Sequence, residues 1–495
     1  MNITLISPYS SLAALGLRTI SACLKRAGHN VKMVFLTASP HSPLSNYSRK
    51  LLDGLVALCS DSKLIGISLM SGNFEQAVQI TNAIKEKIRV PIIWGGIHPT
   101  SMPDESLQYA DIVCIGEGED AIIELAHNMD SGGNYYDTEN LCLKLNGGVK
   151  KNAIRPLIQN IDSMPFMDYD INGHYIYHEG DSLVPMTKEL LREHLILEET
   201  LIPGTAAYQT IWARGCPYKC TYCCNDIYHT LYKGQKLVRK KSAKRIIEEI
   251  KNIKNNLDFI TNIWFHDDSF FAISKEDLTE FSMLYKKEIG MPFCALGDPI
   301  FTSEEKLSML ADAGLHTLSV GIESGSETTI ALYNRRHFKP EKTIRLGEII
   351  NKFTDKIRIR YDIIVDNPYE TNNDVLDTIK MLIKIPYPYM LQIFSLTFFP
   401  GTELYRKAKK DGLLRDEAEG IHKKHYFKIK PTYLNLILKL FSVNFSKSVI
   451  KFMISPPMLF IFNREWPARL VFRASKITWL ILKKIKNFLT PPKKS

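Results

Sequence analysis

The sequence has little cysteine and no long apolar stretch. Its 495 residues include nine cysteines, too few for the disulfide framework of a small secreted scaffold. No segment reaches the about 18 uninterrupted apolar residues that a membrane-spanning helix needs, and the first residues lack the pattern of a signal peptide. With 45% hydrophobic and 23% charged residues, the composition does not fit a disordered chain. We therefore expect a reduced, cytoplasmic globular protein of two or three domains.

Acidic residues are nearly absent from the last part of the chain. Residues 421–495 hold sixteen Lys or Arg and one acid, Glu465, for a net charge of +15, whereas the whole chain has +10. The first 420 residues therefore carry −5, and we expect no nucleic-acid partner for them. Apolar clusters between the lysines, at 434–445, 456–462 and 477–485, predict a basic, mostly helical tail. Such a tail either lies peripherally on the inner face of an anionic membrane or packs back with a solvated basic face.

Strand and helix patterns alternate over residues 1–140. Five short apolar runs predict strands, at 2–6, 31–36, 64–69, 90–94 and 112–115. The alternation predicts a doubly wound parallel sheet, a Rossmann-like fold, whose ligands lie at the carboxyl ends of the strands. Those ends are Ser7, Ser68, Gly95-Gly96 and the turn at 116–119. Alternatively, these glycines only make tight turns.

A second alternating region spans residues 205–420, after a proline-containing connector at 141–204 with weak periodicity. Six strand patterns recur there, each followed by helical spacing, at 208–213, 262–266, 293–295, 316–320, 357–365 and 390–397. Six such units predict a partial (β/α)6 barrel of the TIM type, with its chemistry at the carboxyl ends of the strands.

Four of the nine cysteines lie within nine positions, directly after the first predicted barrel strand. Cys216, Cys220 and Cys223 have the spacing Cys-x3-Cys-x2-Cys. Three thiolates on so short a loop can hold three corners of a 4Fe–4S cluster. One iron then stays open, as one position stays open on catalytic zinc. Cys224 is a poor fourth ligand, because adjacent cysteines cannot easily reach different corners of one cube.

Two other metal proteins fit this loop less well. Structural zinc needs four protein ligands, and the sequence offers only His229 nearby and no second Cys-x2-Cys pair. An iron–sulfur protein that only transfers electrons normally closes its cluster with four protein ligands. Such an electron carrier is the alternative from another functional class.

With the aromatic Tyr222 before its last cysteine, the loop resembles that of the radical S-adenosylmethionine (SAM) superfamily. The resemblance implies that the open iron binds the amino and carboxylate groups of SAM. One-electron reduction, by a donor of the flavodoxin or ferredoxin type, would then release a 5′-deoxyadenosyl radical. Chemistry of this kind requires anaerobic conditions.

Two later strand ends are similar to the segments that contact SAM in this superfamily. They read WFHDDSFF at 264–271 and GIESGSE at 321–327. The resemblance implies SAM-binding roles for Tyr222, Asp267, Asp268, Glu323 and Ser324. Alternatively, the carboxylates cap helices or form local ion pairs. The turn after the fifth strand, VDNPYET at 365–371, departs from the family's pattern because both of its usual glycines are missing.

The first domain resembles the cobalamin-binding domain that precedes the barrel in one subgroup of the superfamily. The matching segments are 3–8, 28–31, 66–71, 94–99 and 116–119. The resemblance implies a cobalamin site at Ser7, Ser68, Gly95, Gly96, Glu117 and Gly118. The loop after the first strand lacks the Asp-x-His-x-x-Gly motif of domains that ligate cobalt through histidine, as is frequent in this subgroup.

The combined resemblance implies a cobalamin-dependent methyltransferase that acts on an unactivated carbon of a small-molecule or lipid substrate. One SAM would methylate cobalt(I), and a second would give the radical that removes a hydrogen atom from the substrate. The substrate radical would then take the methyl group from methylcobalamin. The alternative within the same architecture is an oxidative cyclase or a ring-rearranging enzyme without methyl transfer.

Overall fold

The computed structural model describes residues 1–463, except 10, 38–45, 146–147, 197–201 and 203. The chain divides into two compact units. The first contains Met1–Leu296, Ser308–Thr317 and Thr397–Lys424, and the second contains Gly297–Leu307, Leu318–Leu396 and the chain from His425 onward. The apolar cluster predicted at 477–485 lies outside the described residues.

A nine-stranded sheet forms the core of the N-terminal region. Its strands are β1 (Asn2–Ser7), β2 (Asn30–Phe35), β3 (Leu64–Ser68), β4 (Ile92–Gly95), β5 (Ile112–Cys114), β6 (Leu141–Leu145), β7 (Gly148–Lys151), β8 (His174–His178) and β9 (Ser182–Pro185). Their order is β7-β6-β5-β4-β3-β1-β2-β8-β9. The six adjacent strands β5-β4-β3-β1-β2-β8 are parallel to one another. The outer strands β6, β7 and β9 each run antiparallel to the strand beside them. The predicted Rossmann-like parallel sheet is confirmed.

The strand order places a topological switch point between β1 and β3. From β1 the chain moves to β2 on one side of the sheet, and from β3 it moves to β4 and β5 on the other. In open α/β sheets a ligand crevice forms outside the carboxyl ends of the strands at such a point. The two strands beside it end at Ser7 and Ser68. The topology therefore supports a ligand site at this edge.

Helices cover this sheet and bury its strands on both faces. They are α1 (Leu15–Arg26), α2 (Arg49–Cys59), α3 (Phe74–Lys87), α4 (Ile97–Ser101), α5 (Pro103–Tyr109), α6 (Glu119–Ser131) and α7 (Lys188–Leu195). Trp94 of β4 is fully buried between the rings of Phe74 and Tyr109, at centroid distances of 6.0 and 5.9 Å. Strands that are buried on both faces read as the continuous apolar runs found in the sequence.

The segment interpreted as a connector contributes four strands, β6 to β9, and one helix. The strand β8 pairs in parallel with β2, and Met33 lies opposite His174 in that register. Periodicity is weak in this segment, where β7 and β9 are the edge strands of the sheet and β7 carries polar residues such as Lys150 and Lys151. The sheet is therefore wider at both edges than the sequence predicts.

The second region contains the six strands predicted for a partial barrel. Its strands are β10 (Ala206–Thr210), β11 (Ala213–Arg214), β12 (Arg239–Lys240), β13 (Ile260–Phe265), β14 (Phe293–Gly297), β15 (Leu315–Glu323), β16 (Arg358–Val365) and β17 (Met390–Ser395). Six of them form one sheet in the order β10-β13-β14-β15-β16-β17, and β11 pairs with β12 in a separate antiparallel ribbon. Chain order equals spatial order, as expected for successive βα units. The prediction of a six-stranded partial barrel is confirmed.

Helices alternate with these strands and continue past the last one. They are α8 (Asn225–Leu231), α9 (Ala243–Asn256), α10 (Lys275–Glu288), α11 (Glu304–Ala313), α12 (Glu327–Leu332), α13 (Pro340–Asn351), α14 (Asn372–Lys384), α15 (Glu403–Lys410), α16 (Tyr433–Phe441), α17 (Lys447–Met453) and α18 (Pro456–Phe462). The last three form the described part of the helical tail. Within the described ranges, no helix combines the length and hydropathy that crossing a bilayer requires.

Candidate functional site

A cavity of about 380 Å³ lies within the first unit. One wall consists of the carboxyl ends of β3 and β4 and the turn after β5, and another consists of residues 211–216 and α8. Seven glycines line it: Gly16, Gly66, Gly95, Gly96, Gly116, Gly118 and Gly215. Because glycines have no side chains, the cavity exposes backbone at these positions, which leaves room for a bulky cofactor between the sheet and the cysteine loop.

Five of the six residues predicted for cobalamin line this cavity. They are Ser68, Gly95, Gly96, Glu117 and Gly118. The Ser68 hydroxyl lies 2.9 Å from that of Tyr9. A side chain at Gly96 would approach the Leu69 carbonyl oxygen to 2.7 Å at a backbone φ of +102°. Packing therefore requires glycine at this strand end.

Ser7 is the exception among the predicted cobalamin residues. It does not line the cavity, and its side chain is fully buried. Its hydroxyl makes no hydrogen bond with any described residue. A buried polar group without a hydrogen-bond partner costs stability. The Ser7 hydroxyl, which lies at the switch point, is therefore available to hydrogen-bond a ligand.

The cysteine loop runs from the β11–β12 ribbon to α8. Cys216 lines the cavity, Cys220 is buried, and Cys223 is half-buried. Among the described residues, no three His, Cys, Asp or Glu side chains converge on one metal position. The sequence spacing of the three cysteines suits separate corners of a cluster. His229 is engaged elsewhere, with Nε2 3.0 Å from the Cys216 carbonyl oxygen.

The thiols of the loop differ in their acidity. A hydrogen bond from the Cys224 thiol, helped by the backbone amide of Asn225, lowers the pKa of Cys223 despite burial. Burial and the nearby charge of Asp268 raise the pKa of Cys216. Iron binds the thiolate form, so each of these thiols must lose its proton when the cluster forms.

The adjacent carboxylates Asp267 and Asp268 have different surroundings. The Asp267 carboxylate accepts hydrogen bonds from the backbone amides of Trp212 and Ala213, at 3.0 and 2.5 Å. It is fully buried, and burial raises its pKa to about 7 despite those bonds. Asp268 instead lines the cavity, where its side chain is accessible and accepts hydrogen bonds from the Asn225 side chain and the Gly215 amide. Asp267 therefore fixes the turn before the cysteine loop, and Asp268 faces the space beside Cys216.

A network of charges joins the turn after β5 to the ribbon that carries the cysteine loop. The Glu117 carboxylate accepts hydrogen bonds from Arg239 at 2.7 Å and from Arg214 at 3.2 Å, and Arg214 also pairs with Glu119 at 2.8 Å. Burial raises the pKa of Glu117, but the two guanidinium groups outweigh it and the pKa is lowered. Arg214 stands two positions before Cys216, so the network positions the loop against the first domain.

Glu117→Gln should destabilise the protein, because it leaves the largely buried Arg239 without its anionic partner. We expect a loss of about 2 kcal/mol at pH 7, as is typical when a buried charged hydrogen bond is broken. Because the folded pKa of Glu117 is lowered, its contribution exists above the unfolded pKa of about 4.3 and disappears as pH falls through the folded pKa. Urea unfolding of the variant and wild type at pH 7 and at pH values stepped down to about 3 measures both effects, because the loss occurs between the unfolded pKa and the lower folded pKa.

The matched control for this prediction is Glu124→Gln. Glu124 lies on α6, is more exposed than Glu117 and pairs with Arg155. The substitution should change stability by less than about 0.5 kcal/mol. Equal losses in the two variants would contradict a special role for the Glu117 network.

The cavity also contains aromatic residues that the sequence analysis missed. Tyr228 and Tyr232 line it from α8 and its C-terminal end, with stacked rings 6.2 Å apart. The backbone amide of Glu117 donates to the Tyr232 hydroxyl at 3.0 Å. These two tyrosines are four positions apart, shortly after the last cysteine. This spacing could have predicted that they share one helix face beside the cysteine loop.

The remaining predicted SAM-binding residues lie elsewhere. Tyr222 is half-buried and does not line the cavity. Glu323 and Ser324 belong to the second unit, at the end of β15, where Glu323 has a φ of +59°. The Ser324 hydroxyl lies 3.2 Å from that of Thr378 and 3.5 Å from Glu370. Burial raises the pKa of Glu370 to about 7.

The turn that departs from the family's pattern is well formed within the second unit. Thr371 and Asp374 form a reciprocal capping box at the start of α14. Glu370 accepts a hydrogen bond from the Thr329 hydroxyl at 2.9 Å. The turn is thus held by side chains where the family's pattern uses glycines.

Comparisons with known proteins agree with this architecture. Residues 1–126 match the B12 binding domain, and residues 210–382 match the radical SAM superfamily. The chain is 27% identical over 359 residues to an uncharacterized methyltransferase of Pyrococcus horikoshii, covering 72% of this chain and 71% of the relative. It is 23% identical over 366 residues to the bacteriochlorophyllide d C-8(2)-methyltransferase of Chlorobaculum tepidum, covering 72% and 70%.

A solved structure shares the fold. It is the radical SAM methyltransferase TsrM of Kitasatospora setae with cobalamin and a 4Fe–4S cluster bound, with a TM-score of 0.64, 15% identity, and coverage of 83% of this chain and 78% of that one. The B12 binding and radical SAM matches follow each other along the chain, as the two sheets do. The chain therefore belongs to the radical SAM superfamily with an N-terminal B12-binding domain, and it is a cobalamin-dependent radical SAM enzyme whose cofactors are a 4Fe–4S cluster, SAM and cobalamin.

Proposed function

We propose that this enzyme transfers a methyl group to an unactivated carbon of a small-molecule or lipid substrate. The observation that carries the proposal is the shared cavity. The strand ends of the B12-binding domain and Cys216 of the cysteine loop line the same space. A methyl carrier and a radical source that act on one carbon must both be close to it. Both relatives described above are named methyltransferases.

In this proposal Cys216, Cys220 and Cys223 hold the cluster, and the residues at the ends of β3, β4 and β5 hold cobalamin. The glycines Gly95, Gly96 and Gly118 leave room for a macrocycle beside the sheet, and the Cys-x3-Cys-x2-Cys spacing suits three corners of a cluster. When bound, the cluster with SAM supplies the 5′-deoxyadenosyl radical, and cobalamin supplies the transferable methyl group. A reductant is required, for which we propose a flavodoxin or ferredoxin.

The protein's own contribution is to position these groups and to exclude water. Apolar side chains of the connector, including Leu157, Met164 and Met167, line the cavity beside the polar strand ends. Radical intermediates are protected when water is kept out of the site. Asp267 acts as a positioning residue, because both of its oxygens are occupied by backbone amides.

For SAM itself, the structure supports Asp268 more directly than the other predicted residues. Asp268 lines the cavity together with Cys216, and its carboxylate is held by Gly215 and Asn225. Such a carboxylate suits the amino group of SAM. Tyr222, Glu323 and Ser324 stay in the proposal on the strength of their motifs, with Glu323 and Ser324 at the carboxyl end of β15.

The test is anaerobic reconstitution with iron, sulfide and cobalamin, followed by incubation with methyl-deuterated SAM, reductant, and small-molecule and lipid extracts. We expect a product heavier by one labelled methyl group, with S-adenosylhomocysteine and 5′-deoxyadenosine formed alongside it. Substrate-dependent 5′-deoxyadenosine without S-adenosylhomocysteine or label transfer would contradict methyl transfer and favour a cyclase or ring-rearranging enzyme. Mass spectrometry of product and nucleosides distinguishes the two outcomes.

A further inference from the structure

Exposed apolar side chains gather in the last described part of the chain. Among the described residues, sixteen large hydrophobic side chains are exposed, and six of these lie within positions 443–461. The six are Val443, Phe445, Val449, Phe452, Phe460 and Ile461. The other ten are spread between positions 70 and 427. Single exposed apolar residues are ordinary, whereas a concentration of them marks a binding surface.

These side chains stand on a packed scaffold within the second unit. Ile450 of α17 is fully buried. The Tyr433 hydroxyl of α16 donates to the Met453 carbonyl at 3.0 Å, and its ring stacks on that of Phe462 at 5.6 Å. The exposed residues are therefore presented by helices that have their own anchoring contacts.

The two last helices present their apolar residues outward. Val449 and Phe452 lie three positions apart on α17 and share one face of it, and Phe452 is 63% exposed. The helix α18 has no buried residue, and Ile461 on it is 52% exposed. An ordinary amphipathic helix would turn such residues toward the core.

The charge around these residues has one sign. Positions 443–463 contain Lys447 and Lys451 and no acid, and positions 464–495 contain nine Lys or Arg and one acid. Lys447 lies over the Tyr387 ring at 4.5 Å and serves the scaffold, whereas Lys451 is exposed. Apolar side chains among cations complement an anionic bilayer, where headgroups attract Lys and Arg and the acyl boundary takes up aromatic and aliphatic groups.

We propose that residues 443–463 dock the enzyme reversibly on the surface of an anionic phospholipid membrane. A membrane is favoured because the outward aromatic and aliphatic side chains can insert at the acyl boundary while the exposed Lys451 stays among the headgroups. An acidic protein partner is the other outcome that the test distinguishes. The proposal is independent of methyl transfer, since it uses no residue of the cavity.

The test is flotation of the purified full-length protein with vesicles of phosphatidylcholine alone or with about 30% phosphatidylglycerol, at low and high salt. We expect binding to the anionic vesicles and loss of binding at high salt, because salt screens the cations. The double variant Phe452→Ser/Ile461→Ser should bind at least about tenfold more weakly, because it removes two inserting side chains. Lys451→Glu should weaken binding as well.

Two matched controls separate this surface from general effects. Met283→Ser removes a side chain that is 69% exposed on α10, and Lys244→Glu reverses an exposed lysine on α9. Both controls should float like the wild type, and thermal melting should confirm that all variants stay folded. Failure of the wild type to bind anionic vesicles, or equal binding by the double variant, would overturn the proposal. So would a double variant that floats normally but loses binding to an acidic flavodoxin.

Discussion

Cys220→Ala should abolish reductive SAM cleavage and leave the corrin absorption band unchanged. Cys220 is the middle cysteine of the proposed ligand set and is buried in the loop between β11 and α8. Without its thiolate, one iron corner has no protein ligand, and the cluster cannot bind SAM in a reducible form. The proposed cobalamin-binding residues lie on other elements, so corrin binding should persist. Anaerobic assays of 5′-deoxyadenosine, with visible spectra of the reconstituted protein, measure both properties.

The matched control is Cys224→Ala, which removes the adjacent thiol. If three cysteines hold the cluster, this variant should keep its iron and most of its SAM cleavage. Cluster loss in Cys224→Ala, with retention in Cys220→Ala, would show that the ligand set has been assigned to the wrong thiols.

The sequence predicted the parts of the fold that have a strong period. All five strands predicted for residues 1–140 and all six predicted for the barrel overlap observed strands. Buried strands leave either a continuous apolar run, as in β1, or an alternating pattern, as in β16. The strands β6 to β9 were missed, because edge strands such as β7 are exposed and polar. Periodicity reports burial, so it fails where burial is partial.

In the site, too, the sequence predicted features that depend on neighbouring residues and missed contacts between residues far apart in the chain. Cysteine spacing is local, and it marked the loop directly. Asp267 and Asp268 are neighbours with indistinguishable local signals, and only the tertiary structure shows that one holds backbone amides while the other lines the cavity. Likewise, the pairing of Glu117 with Arg239 joins residues 122 positions apart, which no short motif reports.

Gly215→Ala should disrupt the cysteine loop, although it changes no proposed ligand. Gly215 immediately precedes Cys216 and has a φ of +84°, where an L side chain is strained by about 1 kcal/mol. A Cβ there would lie 2.4 Å from the Leu237 carbonyl oxygen, so the backbone on one side must also move. Such overpacking typically costs a further about 1–3 kcal/mol. We expect a lowered melting temperature and loss of most of the iron that reconstitution installs.

Gly234→Ala separates strain from overpacking in this prediction. Gly234 lies between α8 and β12 with a φ of +86°, and nothing is within 4 Å of where its Cβ would stand. Both substitutions therefore strain the backbone, but only Gly215→Ala also brings a Cβ against the Leu237 carbonyl oxygen. Gly234→Ala should lose about 1 kcal/mol of stability and keep its cluster. Equal iron contents in the two variants would mean that the loop tolerates displacement and that close packing at Gly215 does not set the position of the first cysteine.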